Sequence, residues 1–343
     1  MIIKSEIKDY SIIFNVNLNK NFSNIKNKFY IIDKKVADLY KFKFLNKKNT
    51  LIINSSESQK QYSSIEKFLL YLIKSKVNKE TTLVAIGGGV VQDITSFMAM
   101  TYFRGIKWIF VPTTLISQAD SCIGSKVAIN LKNYKNSIGG YYPPNRIFLN
   151  TDFINSLSNK HLKSGIGEMA HYFFLDNKPN YKIFENFLYN FDYKNLIVLN
   201  KIIKICLNIK KKFIERDEFE KNERLLLNYG HTIGHAIETY SNFTIPHGVA
   251  VSYGMNFENF VSFKMKYINF NQYYEYKNLL KIVYKNYSFQ YDATKLLKII
   301  LADKKNSKNI IKLILTKGIG DMFIKKFNEK QINTFLKEYQ NEE

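Results

Sequence analysis

Cysteine is almost absent from this chain of 343 residues, with Cys122 and Cys206 as the whole complement. Two cysteines exclude a disulfide framework and a zinc ribbon, and they fit a reducing, cytoplasmic setting. Both read as small core residues. Also missing is any run of about 18 apolar residues, which excludes a membrane-spanning helix on length. The opening stretch MIIKSEIKDY carries charges where a secretory signal needs apolar residues. Acidic residues are scarce beside basic ones, 29 against 51, leaving a formal net charge of +22. Such a surface attracts phosphates without any sequence code. Here the lysines run from end to end among Asn, Ile, Phe and Tyr, residues that share A/T-rich codons. The charge therefore reads as a compositional bias carrying a basic active site, and no nucleic-acid or membrane partner is expected.

What is present is enough for two cores. A hydrophobic fraction of 45% suits a globular chain of this length. Short β-rich runs at Tyr10–Phe14, Lys28–Ile32, Thr50–Ile53, Thr82–Ile86 and Trp108–Val111 alternate with helical stretches. Within Gln59–Ser75, the residues Ile65, Phe68, Leu69, Leu72 and Ile73 recur at helical spacing and predict an apolar stripe that covers a sheet. Beyond about residue 155 the texture becomes helical, over Ser156–Phe174, Asn195–Arg216, Leu225–Tyr240 and Gly248–Met265. A small hairpin is expected at Ile310–Thr316 and Asp321–Phe327, then a helix from Glu329. The pattern predicts an α/β nucleotide-binding domain with a mostly parallel sheet over 1–153, and a mainly α-helical domain over 154–343.

Two clusters carry chemistry. Leu83 to Asp93 is a strand running into Gly87-Gly88-Gly89 and then a helix. Missing Cβ atoms let backbone N–H groups approach a phosphate, and the helix adds its positive end. The spacing matches neither the Rossmann fingerprint nor the Walker loop. Only five histidines occur, yet three fall at 231, 235 and 247. His231 and His235 share a helix face, and His247 stands at an expected helix start. Three such groups suit a metal site open to substrate, with Glu168 as a carboxylate candidate. Thr232 after the first histidine excludes the metalloprotease motif.

Taken in order, GGGVVQD (87–93), RGIKWIFVPTTLISQADSCIGSK (104–126), KNSIGGYY (135–142), GIGE (165–168), DEFEKNERLLLNYGHTIGHAIE (217–238), HGVAV (247–251) and DKK (303–305) resemble the 3-dehydroquinate synthase family of sugar phosphate cyclases. The likeness runs from residue 33 to about 320. It implies a dehydroquinate synthase-like fold and a phosphate-eliminating carbon–oxygen lyase of the shikimate pathway, serving aromatic amino-acid biosynthesis. The implied substrate is 3-deoxy-arabino-heptulosonate 7-phosphate. NAD⁺-assisted oxidation, phosphate elimination, reduction and aldol closure convert it to 3-dehydroquinate, with NAD and Zn²⁺ (or Co²⁺) as cofactors.

By position the resemblance gives the metal to Glu168, His231 and His247, and turns His235 toward the substrate phosphate. It gives NAD to Asp33, Glu57, Lys60, Gly88, Gly89, Asp93, Thr113, Thr114, Asp120, Lys126, Lys135, Phe153 and Ser156. Substrate and catalytic positions are Asp120, Lys126, Lys135, Asn136, Lys210, Glu220, Arg224, Asn228, His235 and Lys304 or Lys305. Arg104 joins them, reaching across the interface of an implied homodimer. The chemistry suits an acidic phosphate ester: Arg224 offers a planar fork for a carboxylate, and Lys126, Asn136 and His235 suit a phosphate.

Several positions depart from the family pattern. His171 stands where a lysine is usual, which makes a charge there conditional on pH. Gln92 and Ser96 replace glycines, and a positive φ at Gln92 would carry strain. Ser125 and Val127 flank Lys126 in place of glycine and threonine, and Val249 replaces a glutamate. The competing readings are a cyclase acting on a substrate without a carboxylate, a polyol dehydrogenase of the glycerol dehydrogenase type, and a non-catalytic relative.

Overall fold

The protein is described by a computed structural model covering residues 1–132, 134–190, 192, 195–302 and 310–342. It divides into two compact units: residues 1–156 with 210–219, and residues 157–209 with 220–343. The chain thus leaves the first unit after Ser156 and returns to it for one short segment.

The first unit opens with β1 (Ile2–Ile3), β2 (Tyr10–Phe14), α1 (Leu18–Ser23), β3 (Lys28–Asp33), α2 (Lys34–Tyr40), β4 (Thr50–Ile53) and α3 (Tyr62–Lys74). It continues through β5 (Thr82–Gly87), α4 (Gly89–Thr101), β6 (Trp108–Pro112), β7 (Lys126–Leu131), β8 (Tyr134–Tyr141) and β9 (Arg146–Leu149). Seven strands form one sheet in the order β1-β2-β9-β6-β5-β3-β4, parallel throughout except for the β1–β2 pair. β5 and β6 are buried almost end to end, as strands covered on both faces must be. Helix α3 buries Ile65 and Leu72, half-buries Phe68 and Leu69, and leaves Ile73 58% exposed. The stripe is narrower than expected because Ile73 lies at its edge, eight residues beyond Ile65. β7 and β8 pair as a separate antiparallel ribbon.

The second unit holds α5 (Asn159–Leu175), α6 (Lys178–Tyr189), the N-terminal part of α7 (Leu196–Arg216), α8 (His231–Tyr240), α9 (His247–Lys264), α10 (Phe270–Tyr284) and α11 (Ala293–Ala302). The hairpin of β10 (Ile310–Gly318) and β11 (Asp321–Asn328) follows, then α12 (Glu329–Gln340). Helix α9 is buried on every side over Gly248–Ser262 and forms the axis of this core. The helix expected over Leu225–Tyr240 is interrupted: a 3₁₀ turn covers Glu223–Asn228 and α8 begins only at His231. Gly230 between them has φ +77°, a left-handed conformation that ends one helical segment before the next. Its N–H donates to the Glu258 carboxylate of α9 at 2.9 Å.

Cys122 and Cys206 are both buried and not joined in a disulfide, as expected for small core residues, and burial pushes the Cys122 thiol up to about 12. No helix among the described residues is long and apolar enough to cross a membrane.

Candidate active site

In the first unit Asp33, Gly88, Gly89, Thr113 and Thr114 lie at the carboxyl ends of parallel strands, where open α/β sheets bind ligands. β5 ends at Gly87, and Gly88 caps α4 with no side-chain partner for the helix N–H groups. A Cβ on Gly88 would meet the Thr114 methyl at 2.9 Å, whereas a Cβ on Gly89 would meet nothing within 4 Å. The space at Gly89 and the uncapped start of α4 leave room for an anion. Thr113 N donates to Gly87 O at 3.0 Å, and Thr114 Oγ1 pairs with Ser117 Oγ at 2.8 Å, so both threonines are fixed beside the turn. Asp33, at the end of β3, caps α2 by accepting from Val36 N at 3.0 Å. Phe153 is buried edge-on to Tyr40 at 4.8 Å and lines a cavity of about 550 Å³ with Tyr40, Phe42 and Asp152. Ser156 Oγ lies 3.3 Å from the Tyr40 hydroxyl.

Four residues named from the sequence share one polar network. Lys60, only 6% exposed, binds Asp93 Oδ2 at 2.7 Å and Asn136 Oδ1 at 2.9 Å, with Glu57 Oε1 at 3.8 Å. Burial raises the Asp93 carboxyl and the Lys60 ammonium pulls against that rise. Asn130 completes the network, donating to Glu57 Oε1 at 2.8 Å and accepting from Asn136 N at 2.9 Å. No motif marks Asn130, since one asparagine among many carries no spacing signal. Lys210, also in the first unit, donates to Asp120 Oδ1 at 2.6 Å and to its carbonyl at 2.9 Å. Lys126 and Lys135 are exposed.

Backbone strain falls elsewhere than expected. Gln92 lies inside α4 and is not among the residues of positive φ. Its amide instead makes a reciprocal pair with Ser121, donating to Ser121 O at 2.6 Å and accepting from Ser121 Oγ at 2.7 Å. Ser125, which also replaces a glycine, is the one of these with φ +63°, and its hydroxyl is held by Glu218 Oε1 at 2.7 Å. Arg104, Asn136 and Glu220 also have positive φ, at +63°, +48° and +57°. Gln92→Ala removes two partly buried hydrogen bonds and is expected to cost about 1–2 kcal/mol, read as a lower melting temperature. A melting temperature equal to that of the parent would show that the pair contributes nothing.

In the second unit, α5, α8 and α9 bring one carboxylate and three imidazoles together. Glu168 is 4% exposed, with His231 Nε2 at 3.4 Å from Oε1 and His247 Nε2 at 3.1 Å from Oε2. One donor atom from each of these residues lies within 4.8 Å of the other two. His231 Nδ1 faces Tyr229 O at 3.1 Å, and a carbonyl only accepts, so Nδ1 carries the hydrogen and Nε2 is turned to Glu168. His247 Nδ1 faces Glu238 Oε2 at 2.9 Å. Burial disfavours the Glu168 charge, but both imidazoles outweigh it and hold the carboxyl well below its usual range. Burial likewise opposes charge on His247, and Glu168 with Glu238 drives its pKa well up.

The His235 ring lies 5.5 Å from His231 and 5.7 Å from His247, so both helical histidines do share a face. His235, Glu238 and His247 form a second set with donor atoms equally close. A carboxylate with two imidazoles suits a divalent ion such as zinc, and three protein ligands leave room for substrate oxygens. His171 is 1% exposed, with Nδ1 3.9 Å from Glu168 Oε1 and its ring 5.6 Å from His231. The replacement for the family lysine thus lies buried against this cluster. Asn228 Nδ2 donates to Glu220 Oε1 at 2.7 Å, and Arg224 is 2% exposed on the same 3₁₀ turn. Arg104 is exposed in the first unit. Lys304 and Lys305 lie outside the described residues.

A mostly parallel sheet with a separate helical unit is the fold seen in solved sugar phosphate cyclases. The structure of 2-deoxy-scyllo-inosose synthase complexed with carbaglucose-6-phosphate, NAD⁺ and Co²⁺ matches with a TM-score of 0.85 at 23% identity, covering 98% of this chain and 99% of that one. That of 2-epi-5-epi-valiolone synthase from Streptomyces hygroscopicus subsp. jinggangensis, with NAD⁺ and Zn²⁺ bound, matches with a TM-score of 0.86 at 18% identity, covering 97% of each chain. Within that class, the family models for the 3-dehydroquinate synthase N-terminal and C-terminal regions match residues 50–164 and 165–306. The 3-dehydroquinate synthase of Dictyoglomus turgidum is 35% identical over 292 residues, covering 84% of this chain and 82% of that protein. This chain belongs to the 3-dehydroquinate synthase family, whose substrates are sugar phosphates.

Proposed function

We propose that this chain converts 3-deoxy-arabino-heptulosonate 7-phosphate to 3-dehydroquinate and phosphate, using NAD⁺ catalytically and one divalent metal, zinc or cobalt. The observation that carries the reading is the convergence of Glu168, His231 and His247, whose donor atoms lie within 4.8 Å of one another, in a chain of this family. These three would hold the metal. The glycine turn with Asp33, Glu57, Lys60, Asp93, Thr113, Thr114, Phe153 and Ser156 would hold NAD, as related cyclases of the same fold are solved with NAD⁺ and Co²⁺ or Zn²⁺. Bound there, the metal would supply Lewis-acid polarisation of substrate hydroxyls and the nicotinamide a reversible hydride acceptor.

The chain's own groups bind and orient. Arg224 presents a planar fork to the substrate carboxylate, with Lys210 and Asn228 as further donors. Lys126, Asn136 and His235 take the phosphate, and Lys135 and Lys304 or Lys305 add positive charge to the same substrate set. Asp120 holds the Lys210 ammonium by two contacts, at 2.6 and 2.9 Å, and so sets where that donor points. Arg104 serves a neighbouring subunit's site in a homodimer, and a monomer by sedimentation would remove that role. The setting is a reducing cytoplasm, in keeping with two buried cysteines that form no disulfide.

The test is purified protein given substrate, trace NAD⁺ and zinc, with phosphate and carbocyclic product followed together. Equal amounts of both without net NADH are expected. Dialysis against a chelator should lower the rate roughly a hundredfold or more, with zinc or cobalt restoring it. Activity on a substrate lacking the carboxylate, and none on the heptulosonate, would move the assignment to another sugar phosphate cyclase.

A further inference from the structure

The two candidate imidazole ligands are oriented by different means. His231 is fixed locally, its Nδ1 turned to the carbonyl of Tyr229 two residues earlier at 3.1 Å. His247 is the first residue of α9, after Pro246. Its Nδ1 instead meets Glu238 Oε2 at 2.9 Å, a carboxylate nine positions earlier on α8. Glu238 sits seven residues after His231 and three after His235, on the helix face that carries both histidines. The Glu238 side chain is 16% exposed and that of His247 is 31% exposed, so the pair is partly shielded from water.

We propose that Glu238 is the positioning residue of the metal centre, fixing the His247 ring and tautomer so that Nε2 faces the ion while Glu238 itself stays outside the ligand set. The inference rests on the metal position proposed above, at Glu168, His231 and His247. An imidazole at a helix start can turn about its outer torsion unless its second nitrogen is held, and one turned away offers the wrong atom. A carboxylate accepting Nδ1–H removes that freedom and makes Nε2 a stronger donor to a cation. With Nδ1 committed to Glu238 at 2.9 Å and Nε2 3.1 Å from Glu168, both ring nitrogens of His247 are assigned. The alternative set of His235, Glu238 and His247 would make Glu238 a ligand, so the two arrangements give opposite results when His235 is removed.

The experiment uses full-length protein stripped of metal. Zn²⁺ affinity is measured by competition with a chromophoric chelator, and ligand geometry by the visible absorption of the Co²⁺ form. Glu238→Ala should weaken Zn²⁺ binding about 10- to 100-fold. Glu238→Gln should weaken it less, because the amide oxygen still accepts Nδ1–H but lacks the charge, and this variant carries the test if the alanine form does not fold. The Co²⁺ band should keep its position in Glu238→Gln, and His235→Ala should retain parental affinity. A purely packing role would lower the melting temperature of the metal-free protein and leave Zn²⁺ affinity unchanged, which would overturn the proposal. Loss of affinity in His235→Ala together with a shifted Co²⁺ band in Glu238→Gln would also overturn it, by making both residues ligands. His231→Ala separates the two levels: parental affinity in that variant would refute the metal position itself, whatever Glu238 does.

Discussion

Glu168→Gln is expected to lower phosphate release about a thousandfold and to strip the protein of tightly held metal. The substitution keeps the shape of a side chain that is 4% exposed and removes its charge alone. That charge is what the cluster is built around. Burial works against it, yet the His231 and His247 imidazoles, at 3.4 and 3.1 Å, hold the carboxyl ionised. An amide in the same place cannot neutralise a divalent ion, and one of the three proposed ligands is lost. Lewis-acid stabilisation amounts to several kcal/mol, and about 4 kcal/mol corresponds to roughly a thousandfold in rate. Melting in the presence of a chelator should change little, since the packing is retained. Metal content and phosphate release measured on the same sample decide the matter. A variant that keeps both near parental values would show that Glu168 is only a buried structural acid.

The second large effect is expected from a methyl group. Helices α5 and α9 approach each other through glycines: a Cβ on Gly167 would overlap Gly248 O, and a Cβ on Gly248 would overlap Ser164 O and lie 2.7 Å from Glu168 N. Each obstacle is backbone, which cannot rotate aside, so alanine must force the helices apart. Gly167 precedes Glu168 and Gly248 follows His247, so this separation falls on the proposed metal site itself. Gly248→Ala should cost about 1–3 kcal/mol or more in stability by overpacking. It should also weaken Zn²⁺ binding even at temperatures where the protein remains folded. Gly89→Ala is the control for stability, because a Cβ there meets nothing within 4 Å. Its melting temperature should match or exceed the parent's, as glycine is a poor helix former. Parental stability and Zn²⁺ affinity in Gly248→Ala would mean that the helices do not pack through these glycines.

Much of the first unit was legible because its strands are extreme in composition. β5 and β6 are continuous apolar runs buried on both faces, and the three glycines after β5 punctuate them sharply. β8 was not legible, since KNSIGG alternates nothing and most of Tyr134–Tyr141 is exposed. The break before α8 was hidden for the opposite reason: apolar residues continue across Leu225–Tyr240, and only Gly230 at φ +77° interrupts them. Its N–H is received by Glu258, a partner 28 positions away that no local pattern could announce.

The candidate site divides along the same line. The order of the motifs determined the family, and the four-residue spacing of His231 and His235 determined their shared helix face, because both are properties of neighbouring residues along one chain. The spacing could not say which of those imidazoles meets a carboxylate, that Glu238 holds His247, that Asn130 joins Lys60 and Asn136, or that the left-handed strain falls on Ser125 and not on Gln92. Those outcomes depend on how closely α5 and α9 pack, where Gly230 turns the chain, and which side chains distant elements bring within hydrogen-bond distance. Such distances are products of packing between remote segments, and only the tertiary structure decided them.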